Sequence, residues 1–416
     1  MAARTEKTHK QTRKPRIGLA LAGGGPLGAI YEVGALCALE ESIAGLDFTD
    51  CEGYLGVSAG GIIASCLVNG LTPRELCAGF IENSSAPPDH FDPAVLLHPH
   101  WDEYARRIRK LPRLLSEALW RVLVERRSLL GALELLGRAL PTGLLNSDAL
   151  AAQLKAMFSL PGRSDDFRDL KKPLLLVATD LDSGEAVAFG TPGWDHVPIS
   201  RAVQASAALP GLYPPVRIDG RDLVDGALKK TVHASLLLDR GLDLLFMLNP
   251  LVPYEVSESD LHLRAKPRIP KLVDGGLPVV LSQMLRSLIH SRLELGMRNY
   301  AKSHPQTDLL FFEPDHRDAK LFLANTFSYR HRRQLAEHAY QATRADLLHR
   351  APQLQEQLAR HGLSLNMERL MDPTRVLVDV WDTPSHSPTE RALLHLDEIL
   401  NLLESRVQHA QEREAA

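Results

Sequence analysis

The run Ile17–Ala22 is nearly all apolar and stops dead at Gly23-Gly24-Gly25. A segment this short and this evenly apolar suits a strand buried on both faces, and the glycines suit a tight turn at its end. Beyond the turn the period changes. Ile30, Val33, Leu36 and Cys37 recur three or four apart, which predicts a helix from Ala29. The same order then repeats: the strand-like "YLGV" ends at Val57, Ser58 follows, and Ile62, Ile63, Cys66 and Leu67 mark a helix that stops at Asn69-Gly70. Strand, helix, strand, helix with such short turns predicts an α/β fold with a mainly parallel central sheet flanked by helices.

Composition narrows the partners. Of 416 residues 44% are hydrophobic, enough for a sizeable core, and a net charge of −3 gives no general attraction to nucleic acid. The exception is local: six of the first sixteen residues are Lys or Arg without apolar period, so residues 1–16 are expected to be a disordered basic arm. The apolar run after that arm is shorter than the about 7–15 residues of a signal-peptide core, and no stretch approaches the ~18 of a membrane span. Cys37, Cys51, Cys66 and Cys77 lack metal-type spacing and read as small core residues of a reducing compartment. A cytoplasmic protein, at most peripheral at a membrane, is expected.

Further along, residues 17–315 read as the catalytic domain, with a helical insertion at about 81–140 broken at Pro112, and residues 316–416 as a helical C-terminal extension. Ser147 is placed to cap the helix "DALAAQLKAMF", and "LLLVATD" and "AVAF" read as strands joined around Ser183-Gly184. "VRIDGRDLV" predicts a hairpin turning at Asp219-Gly220, and "LDLLFMLNP" and "TDLLFFEP" predict further core strands. Between those two, "VPYEVSESDLHLRAKPRIPK" reads as an exposed linker. It leads to an amphipathic helix carrying Met284, Leu285, Leu288, Ile289 and Leu295.

The chemistry centres on Gly56-Val57-Ser58-Ala59-Gly60, a G-x-S-x-G set between a strand and an apolar helix. A serine on that sharp turn is forced into an unfavourable backbone region, and its hydroxyl projects from the carboxyl end of the sheet. Such a nucleophile needs oxyanion donors and a base. Gly23, Gly24 and Gly25 can present bare amides beside a helix N-terminus. The same loop spells G-x-G-x-x-G, but no acidic residue follows the second strand and no Lys-Ser/Thr follows the glycines, so nucleotide binding is not expected. For the base, Asp219 is explained by its turn, Asp225 sits at a strand end before Gly226, and Asp274 follows the exposed linker. A histidine base, His196 or His233 among seventeen, stays open at this point.

"GLALAGGGPLGAIYEVGAL", "GVSAGG", "ATDLDSGE" and "ASAALPGLYPPVRIDGRDLVDGA", in this order, resemble the patatin-like phospholipase family over roughly residues 16 to 315. The resemblance implies a Ser-Asp dyad without histidine: Ser58 as nucleophile, Asp225 as base, and oxyanion donors at Gly23, Gly24, Gly25 and Gly28. It implies a phospholipid or lysophospholipid substrate and no metal or other cofactor. Many family members carry Arg or Lys where Leu27 stands, so that charge is missing here. Asp180 and Asp182 read as strand-end and turn structure. Acyl transfer to another lipid, or a silent lipid-binding scaffold, are the competing readings.

Two other clusters draw attention. Asp89, His90, Asp92, His98 and His100 lie among prolines and read as a plain loop rather than a metal site. In the insertion, Arg106, Arg107, Arg109, Lys110 and Arg113 accompany Leu111, Leu114, Leu115, Leu119 and Trp120. Such a helix can lie in a lipid interface or cover the core with its charges in water.

Overall fold

The computed structural model describes residues 14–84, 91, 96, 98–123, 140–229, 232–255, 272–318, 320–321 and 329–378. In chain order the first elements are β1 (Ile17–Leu21), α1 (Gly25–Ser42), β2 (Ile43–Ala44), β3 (Gly53–Val57), α2 (Ala59–Val68), α3 (Pro73–Cys77), α4 (Trp101–Leu123) and α5 (Asp148–Phe158). Next come β4 (Leu174–Asp180), β5 (Ala186–Phe189), α6 (Ile199–Ser206), β6 (Val216–Ile218), β7 (Arg221–Asp225), α7 (Ser235–Leu238) and β8 (Leu244–Leu248). The last are α8 (Gly276–Ser303), β9 (Asp308–Phe312), α9 (Tyr329–His349), α10 (Ala351–Arg360), β10 (Ser364–Leu365) and α11 (Met367–Met371).

The main sheet runs β6-β7-β4-β3-β1-β8-β9, with β5 paired to β4 alone. The links among β4, β3, β1, β8 and β9 are parallel, whereas β5, β6 and β7 join antiparallel. The central strands are buried on both sides, and alternate residues divide between two cores. Leu19, Leu21, Tyr54, Leu176 and Phe246 face one that includes α1, α2 and α9. Ala20, Leu55, Val57, Val177 and Met247 face another that includes α7 and α8.

The C-terminal helices complete the first of these layers. A Cβ on Gly34 would lie 2.5 Å from the Ala336 carbonyl oxygen, so α1 and α9 meet backbone to backbone. β10 pairs antiparallel with β2, and the compact unit continues to Val378. Arg344 ties this end together by donating to the carbonyls of Arg369 and Asp372 at 2.7 Å each.

Four local expectations change. The first helix begins at Gly25 rather than Ala29, because a helix's first turn has no internal acceptors for its amides and so tolerates Pro26. α4 passes through Pro112 unbroken; Ile108, whose carbonyl loses its partner, is 66% exposed, so water can satisfy it. Ser147 precedes α5 but accepts from Gln204 Nε2 at 3.0 Å instead of capping, and Asn146 Oδ1 takes the Asp148 amide at 2.7 Å. On α8, Ile289 is buried, but Met284, Leu288 and Leu295 are exposed, since that helix is apolar on two sides and only one meets the sheet. The basic arm through residue 13, most of the linker (256–271), the end of the insertion (124–139) and the tail beyond Val378 lie outside the described residues.

Candidate active site

Strand register brings the two halves of the site together. Val57, the last residue of β3, pairs with Val177, and Asp225, the last of β7, pairs with Ala178. β4 therefore acts as the common rule that sets Ser58 and Asp225 at one level above the sheet. Leu21, at the end of β1, pairs with Gly56, so the glycine loop that follows β1 rises beside the same point.

Ser58 has φ 54° and ψ −124°, the left-handed side of the map that a residue with a Cβ adopts only when its surroundings impose it. The constraint is visible. Its amide donates to Ser206 Oγ at 2.8 Å, and that hydroxyl donates to the Val177 carbonyl at 2.6 Å. The flanking glycines let α2 crowd the sheet: a Cβ on Gly60 would stand 2.5 Å from the Ala22 carbonyl oxygen, and one on Gly56 would stand 2.5 Å from the Gly61 Cα. Both clashes are with backbone and cannot be relieved by a rotamer. Gly60→Ala is therefore expected to lower stability by about 3 kcal/mol or more, read as a reduced urea midpoint with an unchanged slope.

Asp225 is 3% exposed and Ser58 6%. Burial raises the Asp225 pKa from 3.8 to about 6, against the opposing pull of the Ser58 hydroxyl and the Ala227 amide. That amide donates to Asp225 Oδ1 at 2.9 Å. The backbone is held from both sides, its N–H on the Ala208 carbonyl at 3.0 Å and its own carbonyl accepting from Thr179 Oγ1 at 3.2 Å. Gly226 lets the chain turn away here, since a Cβ would meet the Val177 carbonyl oxygen at 2.2 Å.

The loop Gly23-Gly24-Gly25 lies over the serine; a Cβ on Gly23 would be 3.0 Å from the Ser58 Cβ and 3.6 Å from its Oγ. Among the described residues no acceptor takes the amides of Gly23, Gly24 or Gly25. The N-termini of α1 and α2 both open here, and neither first turn contains an acidic residue to offset its partial positive charge. Gly28 differs. Its amide donates to the Gly24 carbonyl at 3.0 Å inside α1, and a Cβ on it would strike the Pro250 ring at 2.9 Å. Its place is thus in packing the loop; as it stands, that hydrogen is not available to an oxyanion.

These groups line a cavity of about 270 Å³ whose walls include Ile62, Phe80, Leu150, Leu212, Tyr213 and Leu251. Among the described residues no histidine lines it. His196 is half exposed and bonds Asp219 Oδ2 at 3.0 Å, on the hairpin turn where Asp219 takes φ 48°. His233 is buried, with φ 50°, apart from the cavity lining, and Asp274 is exposed just before α8. Asp180 Oδ1 accepts from the Asp182 amide at 3.0 Å and Oδ2 from Arg221 at 3.1 Å, a turn-forming role. Leu27 is buried in α1. His98 and His100 are described, whereas Asp89, His90 and Asp92 are outside the described residues.

Sequence reasoning missed Ser206, Arg286 and Arg332. Ser206 lies within "ASAALPG", a block noted above only as part of the resemblance, and its contact with Ser58 spans the α6–β3 gap. Arg286 and Arg332 line the cavity from α8 and α9. Arg286 Nη1 donates to the Val252 carbonyl at 3.3 Å and Arg332 Nη1 to the Phe80 carbonyl at 2.8 Å. No local motif marks either.

Fold and geometry together define a class: mostly parallel α/β proteins that raise a strained serine at the carboxyl end of the sheet, here facing a buried aspartate. Residues 19–238 match the family described as patatin-like phospholipase, and the chain belongs to that family of lipid acyl-hydrolases. Among solved structures it is similar to VipD from Legionella pneumophila, at 17% identity over 78% of this chain and 67% of that one, with a TM-score of 0.33. It is also similar to the type III effector protein ExoU, at 18% identity over 81% of this chain and 53% of that one, TM-score 0.33. A third is the ExoU–SpcU complex of Pseudomonas aeruginosa, at 20% identity over 83% and 72%, TM-score 0.25.

Proposed function

We propose that the chain hydrolyses phospholipid or lysophospholipid through Ser58 and Asp225. The observation that carries the reading is a buried carboxylate, with its pKa raised to about 6, facing a strained serine in a cavity under uncommitted amides. Asp225 takes the hydroxyl proton as Ser58 Oγ attacks the ester carbonyl. The amides of Gly23, Gly24 and Gly25 hold the oxyanion. Its collapse expels the alcohol, which leaves with the proton from Asp225. Water, deprotonated by Asp225, then attacks the acyl-enzyme, and the fatty acid is freed as the proton passes from Asp225 back to Ser58 Oγ. A base of pKa about 6 is ionised at neutral pH yet still basic enough to accept a proton. The apolar walls suit an acyl chain, and the guanidinium groups of Arg286 and Arg332 favour a substrate that carries phosphate over a neutral lipid.

Incubation with a phospholipid, with and without an added acceptor alcohol, tests this reading. Free fatty acid is expected in both cases and should disappear in Ser58→Ala. Acylated acceptor as the main product would make the chain a transferase instead.

The substrate's chains must leave a lipid surface, and α4 supports a site of contact. Trp101, Ile108, Leu111 and Leu115 recur along one side of it and are 37% to 71% exposed. Among the described residues no helix is long and apolar enough to cross a membrane, so the contact proposed is interfacial. Arg106 and Arg107 both bind the largely buried Glu103, at 2.9 and 2.8 Å, and reversing them would disturb the fold. Arg109, Lys110 and Arg113 are exposed. Changing these three to Glu is expected to weaken binding to anionic vesicles about tenfold or more at low salt while sparing hydrolysis of a soluble ester. Unchanged vesicle binding would exclude this surface.

A further inference from the structure

Outside the catalytic cavity, His290 of α8 meets Glu313 and His316, which follow β9. One ligand-capable atom from each of these three side chains lies within 4.8 Å of the other two. His290 Nδ1 is 3.7 Å from Glu313 Oε2, and His316 Nε2 is 3.4 Å from Glu313 Oε1. The two rings stand edge to face with centroids 4.7 Å apart.

The surroundings match what a metal centre requires. The outer nitrogen of each ring has a carboxylate nearby: His316 Nδ1 is hydrogen-bonded to Glu255 Oε1 at 3.4 Å, and His290 Nε2 lies 3.8 Å from Glu294 Oε1, an ion-pair distance rather than a hydrogen bond. Asn249 Nδ2 donates to Glu313 Oε2 at 3.2 Å. Imidazoles that ligate a metal commonly give their other N–H to a carboxylate, the arrangement that His316 has with Glu255. His290 Nδ1 is itself buried and has no hydrogen-bond partner among the described residues. A divalent cation among these three side chains would take the His290 Nδ1 lone pair and replace the 3.4 Å hydrogen bond between His316 Nε2 and Glu313 Oε1.

We propose that His290, Glu313 and His316 bind a divalent metal of the zinc class. Two histidines and a glutamate form a donor set that zinc accepts, and bonds of about 2.0–2.2 Å would draw together ligand atoms that now lie up to 4.8 Å apart. None of the three residues lines the catalytic cavity, and the role of the site is to fasten. It would join α8, whose Leu285, Arg286 and Ile289 line the cavity, to the ends of β8 and β9. Asn249, the residue after β8, precedes Pro250, whose ring is the neighbour that a Cβ on Gly24 would meet at 2.7 Å. Bound metal would therefore stiffen the wall against which the glycine loop rests. This inference does not depend on the proposed hydrolysis.

The test is titration of the metal-stripped full-length protein with Zn²⁺ against a chromophoric chelator, with Co²⁺ as a spectroscopic substitute. One equivalent is expected at about micromolar affinity or tighter, together with a raised melting temperature. His290→Gln and His316→Gln should each weaken binding about tenfold or more, and their combination should abolish the visible Co²⁺ band. Glu255→Gln, at a side chain that is 61% exposed, should weaken Zn²⁺ about tenfold through His316. Absence of uptake by the wild type, or a double variant that binds Zn²⁺ as the wild type does, would overturn the proposal and leave a proton-sharing network of ion pairs.

Discussion

Asp225→Asn is expected to lower hydrolysis about 10³-fold or more and, at the same time, to make the protein more stable at neutral pH. The first effect is loss of the base: an amide cannot take the Ser58 proton. The second follows from burial. The folded carboxyl has a pKa of about 6 against an ordinary 3.8, so the native state holds the extra proton between those values. Its stability therefore falls as pH rises from about 4 to about 6, and above that range the ionised carboxylate costs the fold about 3 kcal/mol. Asparagine removes that cost and still offers Oδ1 to the Ala227 amide.

Thermal melts of the two proteins should accordingly diverge at pH 7.5, the variant higher by several degrees, and converge near pH 4. Wild-type kcat/KM on a soluble ester should fall tenfold per unit below about pH 6, as the base is protonated, and level off above it. A variant that keeps its activity, or melts lower at pH 7.5, would remove Asp225 from the role proposed. Asp274→Asn is the control, at an exposed position away from the cavity, and should leave both measurements unchanged.

Ser58→Ala is expected to abolish labelling by a fluorophosphonate and to reduce hydrolysis at least about 10⁴-fold, with little change in folding. Alanine keeps the Cβ and the strained turn, and its amide can still donate to Ser206. Ser58→Gly should be equally inactive but more stable than the alanine variant by about 1–2 kcal/mol, because glycine adopts φ 54° without the steric penalty. Comparing the two separates the chemistry of the hydroxyl from the strain of its perch. If both variants melt alike, the surrounding contacts do not store strain at this position; if Ser58→Ala still labels, the nucleophile is elsewhere.

Much of this molecule is legible one segment at a time. An apolar run before three glycines, and a second before Gly-x-Ser-x-Gly, already state the strands, the turns and the serine, because strand period, turn chemistry and steric tolerance are local properties. The hairpin at Asp219-Gly220 and the turn at Asp180 are local for the same reason. The helix of the insertion is less so: Pro112 reads as a break, yet exposure to water lets α4 continue through it. Ser147 reads as a cap, yet its hydroxyl is taken by Gln204 from another element.

What distance in sequence conceals, register and packing decide. Nothing in the letters distinguishes the Gly28 amide from those of Gly23 to Gly25, but the first turn of α1 engages it with Gly24. Ser206, Arg286, Arg332 and the group of His290, Glu313 and His316 have no motif, since each acquires its meaning from residues on other strands and helices. The amino-acid order alone determined that a serine would stand on a tight turn at the end of a parallel strand. Only the folded sheet decided that Asp225 would be desolvated and set opposite it, because pairing both β3 and β7 with β4, and the burial that raises a carboxyl pKa, exist nowhere in the unfolded chain.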